Sequence, residues 1–381
     1  MTVRQPAAWG TIEGPPLPLA ALETPAPVVD LDRLAHNLDR MAAYAALHGL
    51  ALRPHVKTHK APRVAADQMR LGAAGLTCAT PRELEVMSDV ARDLLWAYPP
   101  VGAARLERIM ALPHETRLTV ALDSAESARG LSEAAERAGR RIGVYVELDV
   151  GMRRVGVADA DAAVALAHLV ADLPWLRYAG VAFYPGHVRQ RGPDQGPALR
   201  ALGESLGATL DALDRAGLRP AVVSGGSTPA AWRMHEVAGV TEVRPGTYVY
   251  NDRVTASLGA CDWDDCAFTV LATVVSTAVP GQAVIDAGTK ALGREPMAEG
   301  AAAGYGALLE RPEVVVRAMS EEHGILDLGA SYWRPSVGDQ VRVVPNHVCV
   351  AVHLHDTVHG VRNGLVETSW PVAARGRDRV A

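Results

Sequence analysis

From about residue 24 the chain alternates short apolar, β-rich runs with longer stretches in which apolar residues recur every three or four positions. The runs fall at 27–30, 52–56, 75–78, 94–97, 118–121, 144–147, 180–183, 221–223 and 241–244. The amphipathic stretches include 34–48, 125–138 and 199–216. Eight or nine strands alternating with helices predict an α/β architecture, a parallel (β/α)8 barrel. A doubly wound open sheet is the alternative, and the lack of a GxGxxG after the first strand counts against it. After about residue 255 the pattern changes. Runs at 270–275, 283–286, 314–316 and 341–344 are joined by Gly, Pro and Asp turns with no long amphipathic helix among them, which predicts a mostly β domain. Residues 358–370, with Asn363-Gly364 at their centre, read as a hairpin. The expected organisation is an N-terminal segment 1–23 packing on the β domain, a barrel over 24–255 and a β domain over 256–381.

Composition narrows the function classes. With 49% hydrophobic residues in 381, a large core is no difficulty. A net charge of -5, with arginines spread along the chain, excludes the basic surface that nucleic acid requires. No apolar stretch is long enough to span a bilayer, and the proline- and alanine-rich start lacks the features of a secretory signal, so a cytoplasmic protein is expected. The four cysteines, at 78, 261, 266 and 349, form no CxxC pair and read as free thiols. Cys261 and Cys266 frame an acidic loop that reads chiefly as a polar connection.

Lysine usage points to chemistry. Of 38 basic residues only Lys57, Lys60 and Lys290 are lysines. A chain that uses arginine almost everywhere should keep lysine where an amine must lose its proton and attack a carbonyl, which a guanidinium cannot do. Lys57 follows directly on the run ending at Val56, the carboxyl end of a barrel strand, where chemistry belongs. An exposed pair of loop lysines is the competing explanation. Other strand ends carry matching features: Glu147-Leu148-Asp149-Val150-Gly151 leading into Arg153-Arg154, and Phe183-Tyr184-Pro185-Gly186-His187. Ser224-Gly225-Gly226-Ser227-Thr228-Pro229 and Gly246-Thr247-Tyr248 present backbone amides and hydroxyls suited to a phosphate. A phosphate turn and a carbonyl-seeking lysine on one rim together suggest pyridoxal phosphate. In the β domain, His347-Val348-Cys349 on a strand would direct an imidazole and a thiolate to one face, a pair suited to zinc. A half-buried histidine beside a core cysteine explains the same residues without a metal. His353, His355 and Asp356 lie just beyond.

Taken together, several of these motifs resemble a known family. They are Arg53-Pro54-His55-x-Lys57-x-x-Lys60, Glu147-x-Asp149-x-Gly151 with its following arginine, and Gly226-Ser227-Thr228-Pro229. Asp286-Ala287-Gly288, Glu322-His323-Gly324 and His347-x-Cys349 complete the set. The family is that of the metal-dependent fold-type III pyridoxal phosphate enzymes, which includes D-threonine aldolases, 3-hydroxy-D-aspartate aldolases, D-serine dehydratases and D-threo-3-hydroxyaspartate dehydratases. The resemblance runs from about residue 24 to the end. It implies an alanine-racemase-like barrel followed by a β domain, a homodimer, and a small D-amino acid as substrate. It implies that Lys57 carries the cofactor, that Arg154 and Tyr184 lie near its ring, and that Ser227, Thr228, Gly246, Thr247 and Tyr248 help hold it. It also implies that His347 and Cys349 bind a divalent metal, Zn2+ or Mn2+, and that Lys60 is structural or electrostatic. The expected catalytic set is Lys57, His187 and His55.

The reaction is divided between two readings. Cys349 and the Gly-Ser-Thr-Pro turn look like the dehydratases. The segments 354–356, 361–367 and 370–376 look like the aldolase C-terminus. Tyr184-Pro185-Gly186-His187 follows the aldolase spacing, but the histidine usual a few residues later is replaced by Gln190, so His187 is the candidate base. Retro-aldol cleavage is the first reading and loss of water the second. A racemase and a cofactor carrier of the barrel alone are further alternatives. The metal pair counts against the racemase, and the additional β domain against the carrier.

Overall fold

The computed structural model describes residues 15–297 and 303–378. Eight parallel strands lie in the order Ala51–Leu52, Glu242–Val243, Val222–Gly225, Leu176–Phe183, Ile142–Leu148, Arg117–Leu122, Asp93–Trp96 and Leu76–Cys78. The two ends of this order meet. His55 bridges Thr77 in parallel, and Val56 donates to the Thr77 carbonyl at 2.9 Å, closing the sheet into the expected (β/α)8 barrel. Strand alternation explains the filling. Val144 and Val146 face the surrounding helices, whereas Tyr145 joins Leu95, Ala121, Ala179 and Ala182 in a separate cluster within the barrel. Arg53 reaches Glu242 and Asp93, each at 2.7 Å, and Ser224 donates to Glu242 at 2.6 Å. Desolvation alone would make a buried guanidinium unfavourable; here it is held by two carboxylates.

The strand expected in the barrel at 27–30 is instead part of the second sheet. Ala26–Asp30 pairs antiparallel with Phe268–Leu271 and parallel with His359–Val361. Its apolar run is buried, as a central strand of either sheet would be, and periodicity does not say which sheet receives it. The chain then crosses to the barrel through the helix Leu31–Leu47, whose start Asp30 caps by accepting from Asp32 and Arg33. Phe268–Ser276 is the centre of this sheet and also pairs with Gln282–Ile285 and Gln340–Pro345. The expected hairpin is Thr357–Arg362 and Leu365–Pro371, with Asn363 and Gly364 both at positive φ. Residues 1–14 of the expected N-terminal segment lie outside the described residues. Leu17–Pro18 pairs with Leu365 and Val366 of the hairpin. No helix of the described residues is long and apolar enough to cross a membrane.

Candidate active site

The barrel closes at Pro54 to Val56, and the chain turns at once through Lys57, Thr58 and His59. Lys57 is half-buried, and its Nζ lies 5.7 Å from the centre of the Tyr184 ring. The Arg154 guanidinium lies 5.0 Å from the same ring, so the tyrosine at one strand end gathers two cations from two others. Beside Lys57, burial and then the lysine's charge hold the His55 imidazole well below its usual pKa. Its Nδ1 faces the Lys57 amide at 3.4 Å. Lys60 turns the other way. Its amine is buried against the Glu83 carboxylate, and its carbonyl accepts from Ala374 at 3.0 Å. That is a structural placement.

The turn after Val222–Gly225 forms the adjacent wall. Gly226 has φ +97, and a side chain on Gly225 would overlap the buried Phe183 ring. Ser227 follows, and among the described residues its buried hydroxyl has no hydrogen-bond partner. Thr228 Oγ1 accepts from the Tyr248 amide at 3.3 Å, which ties this turn to Gly246-Thr247-Tyr248. The Tyr248 phenol points elsewhere, accepting from Gln68 at 2.9 Å. A buried hydroxyl left without a partner is unfavourable, and a phosphate oxygen would satisfy it. The residues therefore fit the phosphate of the expected cofactor.

Cys349 comes to this rim from the second sheet. Its Sγ is 3.1 Å from Thr58 Oγ1 and 3.8 Å from Thr247 Oγ1. Burial opposes ionisation of the thiol, but the hydrogen bond and charge of His347 outweigh it, and the Lys57 charge adds to the effect, holding its pKa below the ordinary range. His347 is raised to about 11, first by the Asp252 carboxylate and then by Cys349. Imidazole and thiolate together are a donor set suited to zinc or a similar divalent ion. Among the described residues no three or more His, Cys, Asp or Glu side chains form a metal cage, so this pair would supply two ligands and leave the rest to water or substrate.

The backbone here corrects the expectation of a strand. His347 precedes the short helix Val348–His353 and Cys349 lies in its first turn. The alternating β-branched residues Val348, Val350 and Val352 favour a strand locally. Burial of Val348, Ala351 and Val352 on one side draws the segment into a helix instead. His355 bonds the Ala291 carbonyl at 3.0 Å. His187 is exposed, its ring against Gly151, and no hydrogen bond joins it to the Lys57 cluster among the described residues. In the acidic loop, the Asp265 carboxylate is taken up by Arg40 at 2.9 Å. Two members of the cluster were not anticipated, Thr58 and Asp252. Thr58 lies inside the lysine motif, and Asp252-x-x-Thr255 is a legible helix-capping pattern.

A closed parallel barrel with a lysine at its rim, followed by a β sheet that delivers a histidine and a cysteine to that rim, defines a pyridoxal phosphate enzyme of the alanine racemase fold class. Residues 29–254 match the family described as "Alanine racemase, N-terminal domain", and 267–361 match "Putative serine dehydratase domain". The chain belongs to the D-threonine aldolase and D-serine dehydratase family of pyridoxal phosphate lyases. It is 34% identical to a D-threonine aldolase of Arthrobacter sp over 95% of each chain. It is also 34% identical to a D-threo-3-hydroxyaspartate dehydratase of Delftia sp. (strain HT23), over 87% of this chain and 92% of the other. Among solved structures, a D-threonine aldolase from Filomicrobium marinum superposes with a TM-score of 0.87 at 35% identity, covering 97% of this chain and 99% of that one. A D-threo-3-hydroxyaspartate dehydratase solved as a cysteine-to-alanine variant in the metal-free form gives 0.83 at 33% identity, covering 93% and 98%.

Proposed function

We propose that the protein is a pyridoxal phosphate- and divalent-metal-dependent lyase that cleaves D-β-hydroxy-α-amino acids to glycine and an aldehyde, working as a cytoplasmic homodimer. The observation that carries this reading is the 3.1 Å contact between Thr58, next to Lys57, and Cys349 of the metal pair. It supports one site in which cofactor and metal act on the same substrate, which neither a racemase nor a cofactor carrier needs. When bound, the cofactor's ring accepts electrons from a bond broken at Cα, and the metal acidifies the β-hydroxyl. The chain supplies the rest. Lys57 holds the cofactor by its amine. Tyr184 and Arg154 flank the ring, while Ser227, Thr228, Gly246 and Thr247 hold the phosphate and Tyr248, its amide bonded to Thr228, ties the two turns together. His55, kept neutral by burial, places no competing charge beside Lys57. His347 and Cys349 hold the metal, Zn2+ or Mn2+. His187 takes the β-hydroxyl proton at an imidazole nitrogen as the Cα–Cβ bond breaks.

The cysteine in the metal pair favours a second reading, elimination of water and then ammonia, with Lys57 removing the Cα proton. The dehydratase relative is as similar in sequence as the aldolase. Product analysis after incubation with D-threonine, pyridoxal phosphate and either Zn2+ or Mn2+ separates them. Glycine with acetaldehyde is the expected result. Ammonia with 2-oxobutanoate would establish the elimination, and L-allo-threonine alone would overturn both.

A further inference from the structure

We infer that Asp252 is the positioning residue for His347, an inference that rests on the metal site proposed above. Asp252 is fully buried and its two oxygens do different work. Oδ1 accepts from the Thr255 amide and the Thr255 hydroxyl, each at 2.8 Å, and the Thr255 hydroxyl also faces the Asp252 amide at 2.8 Å. Those contacts form the capping box of the helix Arg253–Ser257 and are satisfied within the barrel segment. Oδ2 is not needed for the cap. It accepts from the Val348 amide at 3.1 Å and lies 3.3 Å from His347 Nδ1.

The neighbouring residues grip the same stretch of the second domain. The Val254 amide donates to the Asn346 carbonyl at 3.3 Å, and Arg253 donates to the Asn346 side chain at 3.2 Å. Asn346 in turn donates to the Glu295 and Gly304 carbonyls, at 2.8 and 2.7 Å. Three consecutive residues, 252 to 254, thus hold three consecutive residues, 346 to 348. Within that clamp the carboxylate on Nδ1 sets the ring's tautomer and rotation. The Nδ1 proton faces Oδ2, so a metal would displace the proton of Nε2 and take that nitrogen as its ligand. A ligand histidine whose second nitrogen donates to a carboxylate is a better and better-oriented ligand, and removing such a partner weakens metal binding by about 10–100-fold. The segment begins only four residues beyond Tyr248, so one stretch of backbone carries both the phosphate-side residues and the orienting carboxylate.

The test compares wild type with Asp252→Asn, Asp252→Ser and Thr255→Val as pyridoxal phosphate-loaded, chelator-treated proteins. The affinity for Zn2+ alone and for Mn2+ alone is measured by competition with a chromogenic chelator, and Tm is measured without metal. Asn and Ser keep an oxygen for the cap but lose the second carboxylate oxygen, so both should weaken metal binding by about 10–100-fold while the cofactor's visible absorbance stays. Thr255→Val breaks the box without touching Oδ2, so it should lower Tm and leave metal affinity unchanged. Wild-type affinity in both Asp252 variants would overturn the inference, as would an equal loss in Thr255→Val. If the Asp252 variants do not fold, nitrogen-labelled histidine spectra of zinc-loaded wild type decide: His347 protonated on Nδ1 is expected, and protonation on Nε2 overturns it. A wild-type protein whose metal binding is absent, or survives Cys349→Ala, would instead bring down the metal site itself.

Discussion

Lys57 and Lys60 stand three residues apart and meet opposite surroundings. Lys60 is buried against Glu83, with φ 51 and its carbonyl bonded to Ala374, so its amine is committed. Lys57 is half-buried and faces the Tyr184 ring. Lys57→Ala should therefore abolish the visible absorbance of bound cofactor and all turnover, while circular dichroism stays native; retained absorbance would remove Lys57 as the carrier. His59, between them, carries a pH effect. It is fully buried, and desolvation pushes its imidazole down to about 3 from 6.5. The unfolded chain binds a proton that the folded one refuses, so this stability is intact above about pH 6.5 and is lost as pH falls toward 3, by up to about 1.4 kcal/mol per pH unit. Urea unfolding at about pH 7 and about pH 5 should show the loss in wild type and a shallower one in His59→Gln. The chemistry of these residues was legible from residue type and spacing. The resemblance sets Lys60 apart as structural or electrostatic, but its partner was not legible, because Glu83 comes from the separate helix Pro81–Met87.

At the scale of elements, the turn after Val222–Gly225 is built around a missing side chain. Phe183, at the end of the neighbouring strand, occupies the space a Cβ on Gly225 would take. The ring is fully buried and has nowhere to move. Gly225→Ala should cost about 1–3 kcal/mol of stability and shift the Ser227 hydroxyl, lowering cofactor affinity; equilibrium denaturation and cofactor titration check both parts. The glycines of this turn were readable as a backbone requirement, whereas the aromatic ring that imposes it, Phe183, lies well back in the chain on the neighbouring strand. Two elements were read differently from the sequence for the same kind of reason. The run read at 27–30 is a strand, as its apolar pattern demands, but pairing with Phe268–Leu271 on one side and His359–Val361 on the other decides its sheet. Residues 348–353 carry a β-branched pattern yet form a helix, because packing of one side outweighs a local preference of under about 1 kcal/mol.

At the scale of the whole molecule, the candidate cofactor and metal residues are divided between two sheets. Thr58 and Cys349 touch across 291 residues of sequence. The tail reinforces the junction, with Ala374 bonded to Lys60 and Arg82 donating to the Ala373 carbonyl at 3.0 Å. This division predicts that the two functions separate. Cys349→Ala should keep the cofactor's absorbance and lose metal-dependent turnover, and full activity of that variant after chelation would refute the metal assignment. By itself the sequence determined the class of fold, since a period-two run alternating with a period-3.6 stretch has few ways to bury its apolar faces. It also determined the chemical repertoire, through three lysines, a glycine-serine turn and a histidine two residues from a cysteine. Only the tertiary structure decided which sheet receives the first strand, that Lys60 is neutralised by Glu83, and that Asp252 faces His347. Those outcomes depend on contacts between residues distant in the chain, whose free energy comes from burial and pairing that no local pattern records.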